Sequence, residues 1–563
     1  MRRILILGGG TQQLSIIRAA RDQMLYTVVF DKNPLALGRR EAHKFQIVDI
    51  YNEEESLQAA LEMHEVNPFS GVLTMGTDCS LTVARIAKEL KLPGIPYATA
   101  EILRDKLAFR TFCREHNLPI PEFCAISTDN SGLIAAQEFF KSGNFDACVL
   151  KPTRSMGSRG VITVRSEKDI ELFFEKTLPY TTKDTMLIEA HVGLPEYSVD
   201  AFVIDSRVNI SGVAERTISI DPYNIELGHS LPADIDSFGV EGMSKLFQKI
   251  AELLQITSGT LKGDIFYKDD SIILGEMAAR LSGGFMSGWT IPYAKGTNPA
   301  TVAVLAAISA LPSQKSLVPS RSLYASEISI ISMPGTTKRL EGSKLCIEYD
   351  WCKHIFLHRE IGSRVSYPSN NTDKIASIVF TASTKRLLIE RRKYLLAHFC
   401  AFLSPNDSET NSFLFSKYVE ALYPDLGCPL PSFISEILGS FVFPDDISPW
   451  NAQKMVLNLG NIVHDKYRAF LSDIGEEHIL LGPYNTTREE EDSAQFFMVL
   501  HQAEKNGVLN VGKSIPDNRD ILLYHVARRG GYQGLRYICD SVAADKKGTI
   551  TNSCYELYLQ RFS

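Results

Sequence analysis

The chain has 563 residues, of which 44% are hydrophobic and 22% charged, and its formal net charge is -7. This length exceeds what one hydrophobic core usually supports, so several domains are expected. The charge argues against nucleic acid as a partner, because no dense Lys/Arg stripe is present to neutralise phosphates. No segment reaches the roughly 20 apolar residues that span a bilayer, which argues against a membrane partner.

The ten cysteines are scattered, with no C-x-x-C pair and no histidine cluster at zinc spacing. They are expected to be reduced and mostly buried thiols. The apolar run that follows Arg3 is far shorter than the core of a signal peptide. A cytoplasmic protein is therefore expected.

Residues 1–98 alternate short apolar runs with helical patterns, which predicts a Rossmann-like parallel sheet covered on both faces. The predicted strands are 4–7, 27–31, 45–48 and 72–74, and the predicted helices are 12–23, 53–63 and 81–90. Gly8-Gly9-Gly10 allow the backbone to approach a ligand at a helix N-terminus. Asp31 is placed like the ribose-binding acid of a dinucleotide fold, but Gln13 stands where the third fingerprint glycine belongs. A sheet that borders another substrate is favoured over an NAD site.

The rest of the chain divides into three further predicted domains. One helix is predicted at 100–116, and residues 120–300 mix strands and helices in α+β fashion. A small α+β unit follows, with strands at 325–331, 346–348, 364–365 and 375–381 and a helix from 383 to 399. Beyond the polar linker 404–408 the pattern is mainly helical, as at 451–471 and 489–505. The predicted domains are 1–98, 99–320, 321–403 and 404–563.

Two apolar runs joined by Lys268-Asp269-Asp270-Ser271 predict a β-hairpin that carries a carboxylate on each strand, Asp264 and Glu276. Carboxylate oxygens together with phosphate oxygens are how proteins commonly hold Mg²⁺. Arg280 follows and can meet a phosphate or acyl phosphate with its planar fork of donors. A surface hairpin with two solvated acids is the plainer alternative.

Lys151 ends an apolar strand, and a glycine-containing turn from Ser155 through Gly157 and Ser158 to Gly160 leads into the next strand. Such a loop can cover a triphosphate and donate backbone N–H groups to it. It is not a P-loop, because it lacks Gly-Lys-Ser/Thr and no helix follows. An ordinary hairpin remains the alternative for this segment alone.

The segment 187–200 is the third part of a predicted nucleotide site. The backbone of a strand edge ending at His191 and Val192 can read an adenine ring, and a carboxylate a few residues later can accept the ribose hydroxyls. Glu189 and Glu196 are placed for these two roles.

These segments resemble the ATP-grasp superfamily, because they occur in the order of that family over roughly residues 1 to 400. They are Asp105-Lys106, Lys151-Pro152 with the 155–160 loop, 189–192, 193–200 and the hairpin with Asp264, Glu276 and Arg280. The resemblance implies an α/β and α+β multidomain protein with a Rossmann-like pre-ATP-grasp domain, an ATP-grasp domain with a lid module, and a mainly helical C-terminal domain.

The resemblance also implies residue roles. Lys106 and Lys151 would contact ATP phosphates, Glu189 with the backbone near Val192 would bind adenine, and Glu196 would hold the ribose. Asp264 and Glu276 would bind Mg²⁺, with Mn²⁺ as an alternative ion, and Arg280 would stabilise an acyl phosphate. Many family members have Asn where this chain has Ala278, so one side-chain ligand for a second Mg²⁺ is missing.

Residues 276–284 look like the L-amino-acid (dipeptide) ligase branch of the carboxylate–amine ligases. Ser282, Gly283, Gly284 and Trp289 would then wall the acceptor pocket, although Trp289 can equally fill the core. His229 is a candidate substrate group or a structural hydrogen-bonding group.

The expected activity is ADP-forming ligation of an amino acid or small carboxylate to an amine, on small molecules only, with a homodimer as a further expectation. Two alternatives stay open. One is a purine-biosynthesis-type ligase or carboxylase acting on a ribonucleotide, which requires a basic phosphate pocket in the N-terminal sheet. The other is a catalytically inactive nucleotide-binding module.

Overall fold

The computed structural model describes residues 1–415 and, beyond them, only residues 422, 423, 425, 426, 526, 529, 530, 533, 534, 537, 540 and 541. The predicted helices at 451–471 and 489–505 lie outside the described residues. The chain divides into two compact units. The first comprises Met1–Ile218, Pro222–Ile328 and Val379–Leu388, and the second comprises Ser219–Asp221, Ser329–Ile378 and the described residues from Ile389 onward.

The N-terminal part of the first unit is a parallel sheet with helices around it, as predicted. Its elements are β1 (Arg3–Leu7), α1 (Leu14–Asp22), β2 (Tyr26–Phe30), β3 (Lys44–Gln46), α2 (Glu53–Val66), β4 (Gly71–Leu73) and α3 (Ser80–Glu89). The strands follow the order β3-β2-β1-β4, and each neighbouring pair is parallel. Ile4, Leu5, Ile6 and Leu7 are fully buried, because both faces of β1 are covered.

The single helix predicted at 100–116 is wrong, because the structure has two helices, α4 (Tyr97–Arg104) and α5 (Lys106–Glu115). Asp105 lies between them with an extended backbone, at φ -107° and ψ 113°. Its carboxylate accepts hydrogen bonds from the backbone N–H groups of Leu107 and Ala108 and thereby caps α5.

A four-stranded antiparallel sheet follows. Its elements are β5 (Phe123–Ser127), α6 (Asn130–Ser142), β6 (Cys148–Pro152), β7 (Ile162–Val164), α7 (Glu167–Thr177) and β8 (Thr185–Ala190). The strand order is β5-β8-β6-β7, and each neighbouring pair is antiparallel. The glycine loop, defined as residues 153–161, connects β6 to β7.

The first unit also contains a larger sheet. Its elements are β9 (Glu196–Ile204), β10 (Arg207–Ser219), β11 (Ile225–Leu231), α8 (Ser237–Leu253), β12 (Gly259–Lys268), β13 (Ser271–Ala278), α9 (Ile291–Lys295), α10 (Pro299–Ala307), α11 (Gln314–Leu317) and β14 (Tyr324–Ile330), whose last two residues belong to the second unit. These strands follow the order β13-β12-β9-β10-β11-β14. Helix α8 packs on this sheet through Met243, Phe247 and Ile250, all fully buried.

The second unit contains β15 (Gly335–Glu341), α12 (Leu345–Glu348), β16 (Cys352–Leu357), β17 (Arg364–Val365), β18 (Ala376–Ala382), α13 (Lys385–His398), β19 (Cys400–Leu403) and α14 (Ser408–Phe415), and β18 and α13 also contribute residues to the first unit. Strands β17, β15 and β19 form a sheet in that order. The strand predicted at 346–348 is wrong, since these residues belong to α12. Residues two apart on a strand share a face, but Leu345 is buried and Ile347 is 81% exposed.

Two polar side chains from the C-terminal region are buried within the second unit. Arg529 donates to the carbonyl oxygen of Phe413 and to Asp425. Gln533 donates to Ala401 O at 2.8 Å and accepts from the N–H of Met333 at 2.9 Å. Residues on both sides of the predicted boundary at 403/404 thus share one buried cluster, and the boundary itself stays a prediction.

Among the described helices, none is long and apolar enough to cross a membrane. The cysteines of the described residues are free thiols, and most of them are buried. Burial raises the pKa of Cys79, Cys113 and Cys148 to about 12 in each case. These thiols are therefore protonated and unreactive at neutral pH.

His358 predicts an acid-sensitive stability for the second unit. Burial is the main cause that lowers its pKa from 6.5 to about 4, and the nearby cations Lys374 and Arg359 contribute to the same shift. The unfolded state therefore binds more protons between these two pH values, and the free energy of unfolding falls as pH falls through this window. We expect wild type to lose about 1–2 kcal/mol more than His358→Gln between about pH 7 and pH 5. Urea unfolding of both proteins measures this, and an equal loss in both would refute the assignment to His358.

Candidate active site

The predicted hairpin of β12 and β13 is confirmed, and it brings Asp264 directly opposite Glu276. Residues opposite each other on antiparallel strands present their side chains on the same face. The register shifts just after Asp264, which marks a β-bulge next to the carboxylate pair. The Asp264 side chain is 8% exposed and that of Glu276 is 44% exposed, so Glu276 is the more accessible of the two.

Glu276 is surrounded by positive charge. Its Oε1 lies 3.4 Å from Nζ of Lys106, the first residue of α5. Burial raises the pKa of Glu276, but the surrounding cations outweigh burial and hold that pKa well below its usual range. These cations are Lys106, Lys262, Lys151 and Arg280. The carboxylate is therefore ionised at every pH at which the protein would work.

Arg216, on β10, links three acidic side chains and was not predicted from the sequence. It forms ion pairs with Glu196 and Asp264 and, through Nη2, with Glu226 at 2.9 Å. Burial opposes its charge, but these carboxylates raise the pKa of Arg216 well above its usual value. The partners of Arg216 lie on other strands, so no local pattern in the sequence connects it to them.

The predicted phosphate lysine, Lys151, forms an ion pair with Glu189, and both side chains are buried. Arg110 binds the same carboxylate with two donors, Nε at 2.8 Å and Nη2 at 3.2 Å, and donates to Gly275 O at 2.6 Å. Burial raises the pKa of Glu189, but the two cations outweigh it and lower the pKa below its usual value. Arg110 was missed because residues 100–116 were predicted only as one helix, without a role for this side chain.

The glycine loop connects two antiparallel strands, as predicted. Gly157, Ser158 and Gly160 have φ between 59° and 70°, a backbone conformation that favours glycine. Lys106 Nζ donates to Ser155 O at 2.6 Å, so the structure brings the loop and the first predicted phosphate lysine together. Ser158 Oγ donates to Asn224 O at 3.0 Å.

The predicted adenine-reading segment needs a correction. Strand β8 lies between β5 and β6, so residues 185–190 are not a sheet edge. The chain leaves the strand after Ala190, where the His191 N–H donates to Ala147 O at 3.0 Å. Backbone contact with a base can therefore begin only at about Val192, which is half-buried and precedes Glu196 at the start of β9.

Three of the residues predicted to wall the acceptor pocket, Ser282, Gly283 and Gly284, lie in the loop that follows β13. The N–H of Ser282 donates to Asp200 Oδ1 at 2.9 Å, and its Oγ lies 3.2 Å from Ser198 Oγ. Gly284 has φ +60°, and a Cβ added to Gly283 would lie 2.7 Å from Oε1 of Gln12. Backbone atoms of this loop thus approach the N-terminal sheet closely within the first unit.

Two predicted substrate residues are buried. Trp289 is 7% exposed and packs edge-to-face on Phe285, with ring centroids 5.2 Å apart. His229 is 2% exposed, and its Nε2 lies 2.7 Å from Thr290 Oγ1. Burial of both side chains agrees with the alternatives in which Trp289 fills the core and His229 is a structural hydrogen-bonding group. The substrate roles of Trp289 and His229 stay predictions.

The N-terminal glycine turn is occupied by the chain itself. The N–H of Gly9 donates to Asp31 Oδ2 at 2.7 Å, and the N–H of Gly38 donates to Gly9 O at 2.7 Å. A Cβ on Gly38 would lie 2.8 Å from Gly9 O. This close covering supports the preference for a sheet without an NAD site.

The carboxylate pair fits a magnesium ion that is shared with phosphate. Within residues 1–415 and the other described positions, no group of three or more His, Cys, Asp or Glu side chains could hold a metal by itself. Asp264 Oδ1 is buried and accepts no hydrogen bond, although Arg216 lies 3.2 Å away. Two carboxylates and no nitrogen or sulfur ligand suit Mg²⁺, which keeps waters and takes phosphate oxygens.

Comparison with known proteins places this geometry in a wider context. Residues 145–288 match a family described as the ATP-grasp domain. An L-arginine-specific L-amino acid ligase from Bacillus subtilis is 19% identical over 44% of this chain and 59% of its own length. The aligned segments span 28% to 69% of the lengths of four curated relatives, so most of these relatives are matched over less than two thirds of their length.

Two of the similar solved structures share the fold over 72% of this chain. An L-amino acid ligase from Bacillus licheniformis has a TM-score of 0.61 at 18% identity, covering 72% of this chain and 99% of its own. A phosphoribosylglycinamide synthetase from Anaerococcus prevotii has a TM-score of 0.57 at 18% identity, covering 72% of this chain and 100% of its own.

Proposed function

We propose that this chain, whose residues 145–288 match the ATP-grasp domain family, is an ATP-dependent carboxylate–amine ligase that forms an amide bond between small molecules. One observation carries the proposal: four cations act on Glu276, which lies opposite Asp264, and one of them, Lys106, also binds the glycine loop. Positive charge around paired carboxylates suits a triphosphate that arrives with Mg²⁺.

The proposed reaction has two steps. A carboxylate oxygen of one substrate attacks the γ-phosphorus of ATP, the bond to ADP breaks, and an acyl phosphate forms. The amine of the second substrate then attacks the acyl carbon, phosphate leaves, and the amine loses a proton. No enzyme nucleophile is needed, so the protein contributes position and charge.

The residues of this chain have distinct proposed roles in these steps. Lys106 and Lys151 bind the phosphates, and the glycine loop with Ser155, Gly157, Ser158 and Gly160 covers them and excludes water. Arg280, whose Nε is buried without a hydrogen bond, faces the acyl phosphate. Bound Mg²⁺, held by Asp264 and Glu276, would neutralise phosphate charge.

The nucleoside contacts follow from the same site. Val192 begins the backbone that meets adenine, with His191 beside it, and Glu196 accepts the ribose hydroxyls. Burial raises the pKa of Glu196, while the charge of Arg216 opposes that rise. Glu189 contributes next to the adenine ring by holding Lys151 in place through their ion pair.

The amino-acid ligase activity is favoured over the purine-type alternative. The fold likeness to a phosphoribosylglycinamide synthetase keeps a ribonucleotide substrate in consideration. However, that activity needs a basic phosphate pocket at the N-terminal sheet, where the sequence offers little beyond Arg18, Arg39 and Arg40. Of these, Arg18 pairs with Glu41 at 2.6 Å and Arg39 donates to Pro34 O at 2.9 Å. The inactive-module alternative is disfavoured because Lys151, Glu276 and Arg280 are all present.

The experiment is phosphate release from ATP and Mg²⁺ in the presence of pooled amino acids, with separate pools of small carboxylic acids and ribonucleotides. We expect stimulation by amino acids and, by mass spectrometry, a product that equals two substrates minus water. Stimulation by ribonucleotides alone would support the purine-type activity instead. No stimulation by any pool would contradict the ligase proposal.

A further inference from the structure

Asp105 contacts the glycine loop although no phosphate role falls to it. Lys183 Nζ and Arg154 Nε both donate to Asp105 Oδ2, at 2.8 and 2.9 Å. Arg154 belongs to the glycine loop, and Lys183 lies just before β8. The Asp105 side chain is 7% exposed, whereas those of Arg154 and Lys183 are 35% and 48% exposed, so these charge-assisted bonds are shielded from water at the carboxylate only. Burial raises the pKa of Asp105, but the two cations lower it below its usual value, so the contacts persist at neutral pH.

The neighbouring residue, Lys106, holds the same stretch of loop. Its backbone N–H donates to Thr153 O at 2.9 Å, and its Nζ donates to Ser155 O at 2.6 Å. Three consecutive loop residues are thus attached to the first turn of α5, one through Asp105 and two through Lys106. The same Lys106 Nζ lies 3.4 Å from Glu276, so the attachment point adjoins the proposed metal carboxylates.

The remainder of the loop makes fewer hydrogen bonds through its own side chains, chiefly the bond from Ser158 Oγ to Asn224 O at 3.0 Å. Gly157 and Gly160 have φ of 63° and 70°, and glycine loses more conformational entropy on ordering than other residues. A loop that is already ordered in the free protein avoids this cost when the nucleotide binds. The contacts at the beginning of the loop therefore bear directly on nucleotide affinity.

We propose that Asp105 is a positioning residue that latches the glycine loop over the nucleotide phosphates by binding Arg154 and Lys183. The inference rests on the proposed ATP-dependent function. Asp105 itself meets no substrate. Because the latch acts before the chemical steps, its loss weakens ATP binding more than it lowers the turnover of the ATP-bound enzyme.

Asp105→Asn tests the latch, because asparagine caps a helix about as well as aspartate but carries no charge. We expect the Kd of ATP with Mg²⁺ to rise about tenfold while turnover at saturating ATP stays within about threefold. Asp129→Asn is the matched control. Asp129 caps α6 through the N–H groups of Ser131 and Gly132 and contacts no part of the glycine loop in the hydrogen bonds of the described residues. The Kd of the Asp129→Asn variant for ATP should equal that of wild type.

Hydrogen exchange of residues 153–161 in the nucleotide-free full-length protein gives a second readout. We expect about tenfold faster exchange in Asp105→Asn and unchanged exchange in Asp129→Asn. Arg154→Met should reproduce part of the effect, and adding it to Asp105→Asn should weaken ATP binding less than additively. Unchanged exchange or unchanged Kd in Asp105→Asn would overturn the latch. Failure of the proposed function is distinguishable, since then wild type and every variant alike bind no ATP.

Discussion

Glu276→Gln is expected to lower Mg²⁺-dependent turnover by about 100-fold or more, since one preorganised charge contact at a reacting centre is commonly worth that much. The side chain is 44% exposed and lies among cations, so it contributes to the site more than to the core. Glutamine keeps the shape of the glutamate side chain but removes the negative charge that binds Mg²⁺. Steady-state turnover across a Mg²⁺ titration measures the effect.

Glu241→Gln is the matched control for this substitution. Glu241 lies on α8 with a 64% exposed side chain and pairs only with Lys245, at 2.7 Å, among its ion pairs in the described residues. Its loss should leave turnover unchanged. Both variants should keep the circular dichroism spectrum of wild type. Wild-type turnover in Glu276→Gln at every Mg²⁺ concentration would remove Glu276 from the metal site.

Arg110→Met is expected to lower the free energy of unfolding by about 3–5 kcal/mol, the usual cost of removing one partner of a buried ion pair. Arg110 is 2% exposed, binds Glu189 with two donors and also binds Gly275 O. Its loss leaves a buried carboxylate with Lys151 as the one remaining cation of this group. Urea or thermal unfolding measures the change.

Arg114→Met, four residues later on α5, is the control. Arg114 is exposed and lies over the ring of Phe123 at 5.0 Å, so its loss should cost less than about 1 kcal/mol. Arg110→Lys keeps the charge but loses the two-donor geometry, and it should fall between the two methionine variants. Equal stability of Arg110→Met and Arg114→Met would show that the buried group contributes little.

The parts of the site that the sequence predicts are those built from neighbouring residues. Asp264 and Glu276 come close because a short turn joins their strands, and that hairpin can be read from the local pattern. The β-bulge that places Glu276, rather than Gly275, opposite Asp264 cannot be read in this way. The parallel N-terminal sheet follows from short apolar runs between helices. The glycine loop is likewise a local feature between two adjacent strands.

The parts that the sequence does not predict depend on long-range contacts. Arg110 meets Glu189 across 79 residues of chain, and no periodicity connects the two. Arg216 gathers carboxylates from three other strands. The break at Asp105 was missed because the apolar pattern continues through it, whereas the cap becomes visible only from the backbone.

The predicted strand edge for adenine failed for a related reason. The mainly apolar residues 187–190 indicate a strand but not how many neighbours it has, and β8 has one on each side. The sequence likewise leaves open whether Trp289 and His229 line a pocket or lie in the core, because both residue types occur in either place. Their burial comes from packing that the local sequence does not encode.

The most direct test of the proposed ligase is an oxygen-transfer experiment with a substrate carboxylate labelled with ¹⁸O. If that carboxylate attacks ATP, one labelled oxygen remains on phosphorus when the amine displaces phosphate from the acyl carbon. The proposed acyl-phosphate mechanism therefore predicts inorganic phosphate carrying one ¹⁸O for each amide formed. Unlabelled phosphate, accompanied by ATP hydrolysis without amide product, would contradict the acyl-phosphate ligase.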